Sequence, residues 1–301
     1  MVPNPFTDIS RSVRRRDQRQ SPRRYQWFFL RRDPRLMQRL LIAAVLAWLA
    51  FLIAFPLIGI ITHTFADGWR PFVDALIEPE AMHAFIITLL VTGVAVMINV
   101  VFGIIIGLVI ARHQFPGKIL VEELVSLPLA VSPVVAGFMF ILLFGRNGWL
   151  GSWFEAGGVR IIYALPGMII ATIFVTLPFV SKEVIPVLLE IGTEMEDAAR
   201  TLGASPWQVF RYITFPSIRW GLAYGITLTT ARALGEFGAV LVVSGNIIGR
   251  TQTATLHIHE SYTNLHFQGA FSASLVLAVI SFTMLLVMEF FRRRIEKSRE
   301  N

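Results

Sequence analysis

Cysteine is absent from the 301 residues, so disulfides, thiolate metal centres and cysteine nucleophiles are excluded. Charge is scarce: Asp, Glu, Lys and Arg make up 16% of the chain, against about 25% in soluble domains. No G-x4-G-K-[ST] loop occurs, so ATP has no recognisable phosphate cradle in this chain. No Ser/His/Asp set marks a catalytic centre. What fills the chain is apolar. Hydrophobic residues reach 54%, and 24 Phe are more than one soluble core of this size hides. That balance excludes a soluble enzyme, a disordered chain and a nucleic-acid module.

A bilayer core requires about 20 apolar residues per helix. Six segments meet that length: 40–62, 84–111, 124–144, 161–181, 220–244 and 270–288. Only the fifth contains charges, Arg232 and Glu236. The apolar–polar alternation of a membrane β-barrel is missing. The first run, 23 residues, exceeds the h-region of a signal peptide and reads as a span. The expected fold is therefore all-α, with six transmembrane helices.

The net charge of +7 is located in the flanks of these segments, not in a patch. Eleven basic residues precede residue 40 and five lie in the last ten. With the N-terminus inside, the inner segments hold 22 Lys and Arg and the outer loops four, namely Arg70, Arg146, Arg160 and Arg250. By the positive-inside rule both termini are expected in the cytoplasm. The expected organisation is an Arg-rich tail over 1–38, a six-helix domain over 39–292 with a cytoplasmic loop at 182–217, and a basic tail over 293–301. The first tail reads as disordered and solvated, or as a segment held to anionic lipid of the bilayer.

The loop at 182–217 carries strong helix punctuation. Thr193 followed by Glu196 fits a capping box, with Glu194 and Asp197 in the first turn. The helix should run to about Leu202, with Gly203 as a left-handed stop. Ser205, Pro206 and Gln208 have the order of a second helix start, and Pro216 should end it. The hairpin either stabilises the bundle at the membrane face or docks a cytoplasmic partner. In the fifth span, Arg232 and Glu236 stand four apart on one helix face. Buried ionisable residues in a span face a bundle interior and are costly. The pair either neutralises itself and holds helices together, or takes part in gating. Ser132 and Pro133, with Pro128, either kink the third span beside a gate or shape its packing. These two readings make Arg232, Glu236, Ser132 and Pro133 the candidate gate.

Asp197-Ala198-Ala199, Gly203, Ile213 and Phe215-Pro216 resemble the E-A-A-x3-G-x9-I-x-L-P motif of bacterial ABC importer permeases, with Asp for Glu and Phe for Leu. The segment from Ala231 to Gly238, reading A-R-A-L-G-E-F-G, is similar to the sulfate, molybdate and tungstate branch. So is the run from Leu127 to Gly137. The stretches from Pro166 to Val180 and from Val242 to Thr253 resemble the sulfate/thiosulfate permeases of the CysW type. The likeness runs from about residue 45 to 290; at Ala254-Thr255-Leu256-His257 the chain departs from the usual continuation.

The resemblance implies the type I ABC importer permease fold, a bacterial inner-membrane location and transport of sulfate, with thiosulfate, through alternating access. It implies that Asp197, Ala198, Ala199, Arg200, Leu202 and Gly203 form the coupling helix to the ATPase. It further implies a sister permease of the CysT type, two ABC ATPase subunits carrying ATP and Mg, and a periplasmic sulfate-binding protein. This chain itself is expected to bind no cofactor and no nucleic acid and to be no enzyme. Arg146, Asn147, Trp149 and Arg250, in the expected outer loops, are candidates for docking the binding protein. His257, His259, Glu260 and His266 share one outer loop, but their spacing matches no zinc site and no metal is expected. The alternatives are a molybdate or tungstate permease and, in another class, a stand-alone secondary anion transporter.

Overall fold

The computed structural model describes residues 34–300, with side chains described for 37–293. The expected Arg-rich tail lies outside the described residues up to residue 33. Among the described residues the chain is all-helical, as expected. In chain order the helices are α1 (Pro34–Thr64), α2 (Trp69–Ile77), α3 (Pro79–Arg112), α4 (Lys118–Ala130), α5 (Pro133–Phe144), α6 (Gly151–Ala156) and α7 (Leu165–Ile191). Then follow α8 (Glu194–Thr201), α9 (Pro206–Val209), α10 (Phe215–Leu234), α11 (Gly238–Ser244), α12 (Ala254–Thr263) and α13 (Phe267–Glu300). A π-helical turn, Phe210–Thr214, joins α9 to α10.

Four helices, α1, α3, α7 and α13, are each long and apolar enough to cross a membrane. The third and fifth expected spans are not straight helices. The third is α4 and α5, bent by 112°, and the fifth is Pro206–Leu234 with α11, bent by 56°. Six spans result if each bent pair is one span. Two other boundaries also differ from expectation. Helix α7 continues through residue 191, so 182–191 belongs to the helix and not to the loop. At the other end, α13 is helical through Glu300, into the segment expected as the basic C-terminal tail.

Residues up to Pro56 and from Leu57 onward form two compact units. Within the first, every side chain from 37 to 56 is exposed. A helix that is apolar on all sides requires an apolar surrounding.

The second unit is organised on the seam between α3 and α7. Lipid tails are as apolar as Leu, so helices associate in a membrane through close packing and interhelical hydrogen bonds. Asn99 on α3 donates through Nδ2 to Thr176 Oγ1 on α7 at 2.7 Å, across 77 residues. Gly103 faces Val180 and Gly107 faces Val184, at the same offset. A constant offset means that the two helices run parallel. Gly221 and Gly225 on α10 meet the backbone of Glu183 and of Phe179 and Val180, so α10 runs antiparallel to α7. The two G-x3-G pairs are thus packing faces. One buried core joins Ile87 and Val91 of α3, Met168, Ala171 and Val175 of α7, and Ala239, Val240 and Val243 of α11. A second joins Val180, Val184 and Leu188 of α7 to Ile218 and Leu222 of α10.

The seam sets a packing test. A Cβ at Gly103 would lie 2.5 Å from Val180 Cγ1, whereas nothing lies within 4 Å at Gly93 on the same helix. Overpacking of this kind costs about 1–3 kcal/mol, while Gly→Ala in an open helix interior gains roughly 0.5–1 kcal/mol. Thermal unfolding in detergent should therefore show Gly103→Ala below the wild type and Gly93→Ala at or above it.

Candidate functional site

The two helix breaks meet. Pro133 disfavours helical backbone in the residue before it, and Ser132 is accordingly extended at φ −58°, ψ 133°. Pro133 then opens α5, where its missing N–H is no loss. Beside it, α10 stops at Leu234 and α11 starts at Gly238. A Cβ on Gly238 would lie 3.2 Å from Pro133 Cβ, and one on Gly137 would lie 2.7 Å from Val242 Cβ. The two half-helices α5 and α11 thus lie side by side with their N-termini together. Pro128, in contrast, is buried within α4 and makes no break.

Arg232 and Glu236 do not share a helix face, as the sequence suggests; they bridge the gap between α10 and α11. Arg232 Nη1 lies 2.7 Å from Glu236 Oε2. Glu236 Oε1 accepts the N–H of Ala239 at 2.9 Å, and its own carbonyl accepts Thr255 Oγ1 at 2.8 Å. A carboxylate at a helix N-terminus satisfies an orphan N–H and the positive end of the helix dipole. The Glu236 side chain is 1% exposed and that of Arg232 33%. Of the candidate gate residues, Pro133, Arg232 and Glu236 are therefore gathered at one junction. Ser132 flanks it as an exposed residue making no side-chain cap.

The segment expected to dock a partner projects from the helical ends of α3, α7 and α10. Gly203 has φ +86° and open space around its missing side chain. The turn therefore requires glycine for its backbone conformation, not for room. The capping box at Ser205 is present, with both Ser205 and Gln208 side chains in their reciprocal bonds. The capping box expected at Thr193 is not formed. Its Glu196 is turned inward instead, where Oε1 accepts from Arg112 Nη2 and from Thr214 Oγ1, each at 2.9 Å. Arg112 also donates to the Leu188 carbonyl at 2.8 Å. Pro216 does not end the second helix either. The π turn carries the chain through, with the Phe215 N–H reaching back to the Phe210 carbonyl. Outward faces Asp197, Ala198, Arg200, Leu202 and Gly203, with Ala199 half-buried. Asp197 and Arg200 pair at 3.2 Å, and Leu202 is 88% exposed.

At the opposite end of α5, Arg146 and Asn147 line a cavity of about 560 Å³ with Glu155 and Arg160. Arg146 Nε stands 3.7 Å from Glu155. Trp149 is almost fully exposed and faces a different, apolar pocket with Met139, Phe140 and Phe174. Arg250 sits on a turn closed by its N–H to the Ile247 carbonyl. That turn is pinned by groups invisible to spacing arguments: Glu260 Oε2 accepts from Asn246 and Gln252, and Thr251 donates to the Ser244 carbonyl. His259 packs edge-on against Phe237, while His257 is buried with Nε2 unpaired. Burial lowers the His257 pKa, and the charges of Glu78, Glu80 and Glu260 oppose that shift only in part.

Two measurements follow from these environments. Removing Arg232 leaves the Glu236 charge buried and uncompensated, a change that costs about 3–5 kcal/mol, so Arg232→Ala should unfold well below the wild type and below the Arg232→Ala/Glu236→Ala double variant. His257 has a folded pKa below its ordinary value of 6.5. Its neutral form therefore gives full stability above that value, and the contribution is lost as pH falls through the folded pKa. The thermal midpoint should drop on acidification from pH 7.5 to 5, and His257→Gln should flatten that slope.

Residues 99–299 match the family described as binding-protein-dependent transport system inner membrane component. The sulfate transport system permease protein CysW of Synechocystis sp. is 48% identical over 255 residues, covering 85% of this chain and 92% of the relative. The Escherichia coli K12 protein of the same name is 41% identical over 251 residues, 83% of this chain and 86% of its own length. The crystal structure of a bacterial ABC transporter that imports the acidic polysaccharide alginate contains a chain that superposes with a TM-score of 0.72. It covers 86% of this chain and 96% of its own at 18% identity, a likeness of fold. The chain belongs to the inner-membrane components of binding-protein-dependent transport systems, the permease subunits of ABC importers.

Proposed function

We propose that this chain is one of two permease subunits of an ATP-driven importer of sulfate, and of thiosulfate with it, in a bacterial inner membrane. The observation that carries the reading is α8 and the turn after it, with Asp197, Ala198 and Gly203 exposed and Ala199 half-buried. It stands on the ends of three helices in a chain 48% identical to a sulfate permease. On this reading both termini and α8 are cytoplasmic, and α8 enters a groove of one ATPase subunit through Asp197, Ala198, Ala199, Arg200, Leu202 and Gly203. A sister permease of the CysT type completes the pathway, a second ATPase subunit serves the sister, and ATP and Mg bind on the ATPases. The Arg232–Glu236 bridge, with Ser132 and Pro133, forms the gate. Arg146, Asn147, Trp149 and Arg250 face the periplasmic sulfate-binding protein.

The energetics favour ATP coupling. Moving charge against an interior-negative potential costs about 2.3 kcal/mol per charge per 100 mV, or roughly 4.6 kcal/mol for sulfate. A passive pore would drain the anion from the cell. Uptake of radiolabelled sulfate by cells lacking their own importer, expressing this chain with its neighbouring subunits, tests the reading. Uptake should require the ATPase, be blocked by thiosulfate better than by molybdate, and vanish in Gly203→Val with the protein still inserted. Uptake without the ATPase would identify a secondary transporter, and stronger blocking by molybdate a molybdate or tungstate permease.

A further inference from the structure

We propose that Arg112, Glu196 and Thr214 form a buried joint that makes α8 move as one body with the ends of α3, α7 and α10; the proposal rests on the importer reading above. Glu196 is the third residue of α8, yet its carboxylate points away from the exposed face that meets the ATPase. A single oxygen, Oε1, takes one bond from Arg112 at the last position of α3 and one from Thr214 at the end of the π turn. The same guanidinium holds the Leu188 carbonyl near the end of α7. Three spans and the docking helix thus share one ion pair whose side chains are only 10% and 6% exposed.

Two physical points make this joint more than packing. Charge-assisted hydrogen bonds out of water are short, strong and directional, so a displacement of α8 is resisted in every direction at once. An exposed pair such as Asp197–Arg200 on the outer side of the same helix is solvated and resists little. The second point is the π turn. In a regular helix the residue following Thr214 would bond to Arg211; here the Phe215 N–H bonds to Phe210. The extra residue widens the turn just before Pro216, which has no N–H to give, and Thr214 is the residue whose hydroxyl reaches Glu196. Such π bulges occur frequently at functional sites. Arg112, Glu196 and Thr214 are positioning residues: none of them meets the anion or ATP.

The test uses the whole complex in proteoliposomes and reads sulfate transported per ATP hydrolysed. Glu196→Gln keeps the shape and removes the charge. Loss of a coupling interaction corresponds to about a five- to tenfold fall in that ratio. Thr214→Val and Arg112→Lys should each lower it less, by about two- to threefold, and they carry the test if Glu196→Gln does not assemble. A second readout needs no sulfate. The chain has no cysteine, so Met195→Cys on α8 and Leu189→Cys on α7, both exposed, accept spin labels selectively when the partner subunits are cysteine-free. Their distance should be unchanged between the nucleotide-free and ATP-bound states of the wild type and should broaden in Glu196→Gln. A wild-type distance that changes on ATP binding, or undiminished transport per ATP in all three variants, overturns the joint. A wild-type complex that moves no sulfate while the distance stays fixed overturns the sulfate reading and leaves the joint standing.

Discussion

Because α3 and α7 run parallel at a constant offset, one seam fixes features far apart along the membrane normal. Asn99 reaches Thr176 in the middle, Gly103 and Gly107 admit Val180 and Val184 beyond it, and Arg112 arrives at the Leu188 carbonyl at the end. A slip of one residue would turn the glycines away from the valines and break the clasp. Without water to compete, an interhelical hydrogen bond and close backbone approach are what hold such helices. The remaining helices depend on this pair. Helix α10 packs on α7 from the other direction, and α12 is tied to α3 by the Ala254 N–H to Thr88 Oγ1.

A second constraint governs the places where helices stop. In hydrocarbon, every backbone polar group freed at a break requires a partner within the protein. At 235–237 the partners are visible: Glu236 takes the Ala239 N–H, and Thr255 takes the Glu236 carbonyl. The carboxylate that serves as a cap then requires a counter-charge, which Arg232 supplies. The charged pair is thus a consequence of the break, and the break lets α11 lie against α5. Proline produces the neighbouring break more simply, by leaving Ser132 extended and removing an N–H that α5 does not need.

Segment length and charge distribution made the helical fold and the presence of six apolar stretches legible. The turn at Gly203 was equally legible, because a left-handed backbone conformation demands glycine. Three features were not. The 112° bend of α4 against α5 was hidden because an apolar run of 21 residues looks the same whether straight or folded back. Glu196 has the spacing of a cap, three residues after Thr193, and local spacing cannot report a competitor at Arg112, 84 residues away. Pro216 has the look of a stop in sequence, because a π turn, unlike a glycine or a cap, leaves no composition signal. Long-range pairing is the common cause: sequence periodicity reports faces and ends, and only packing reports which ends meet.

Helix α10 ties the two sites together. Its first turn follows directly on Thr214, which is held to Glu196. Its last turn carries Arg232, which holds Glu236 at the break. A helix of 20 residues is about 30 Å long, and one face of α10 packs on α7 through Gly221 and Gly225. A displacement imposed at Thr214 therefore reaches Arg232 without loss in flexible loops. The ion pair at that end joins α10 to the start of α11, which packs on α5 through Gly137 and Val242 and shares a core with α7. On the proposed function, ATP binding acts on one end of this rod and the anion pathway answers at the other. On that reading the Arg232–Glu236 pair stands at the end of α10 remote from the ATPase, at the break between α10 and α11.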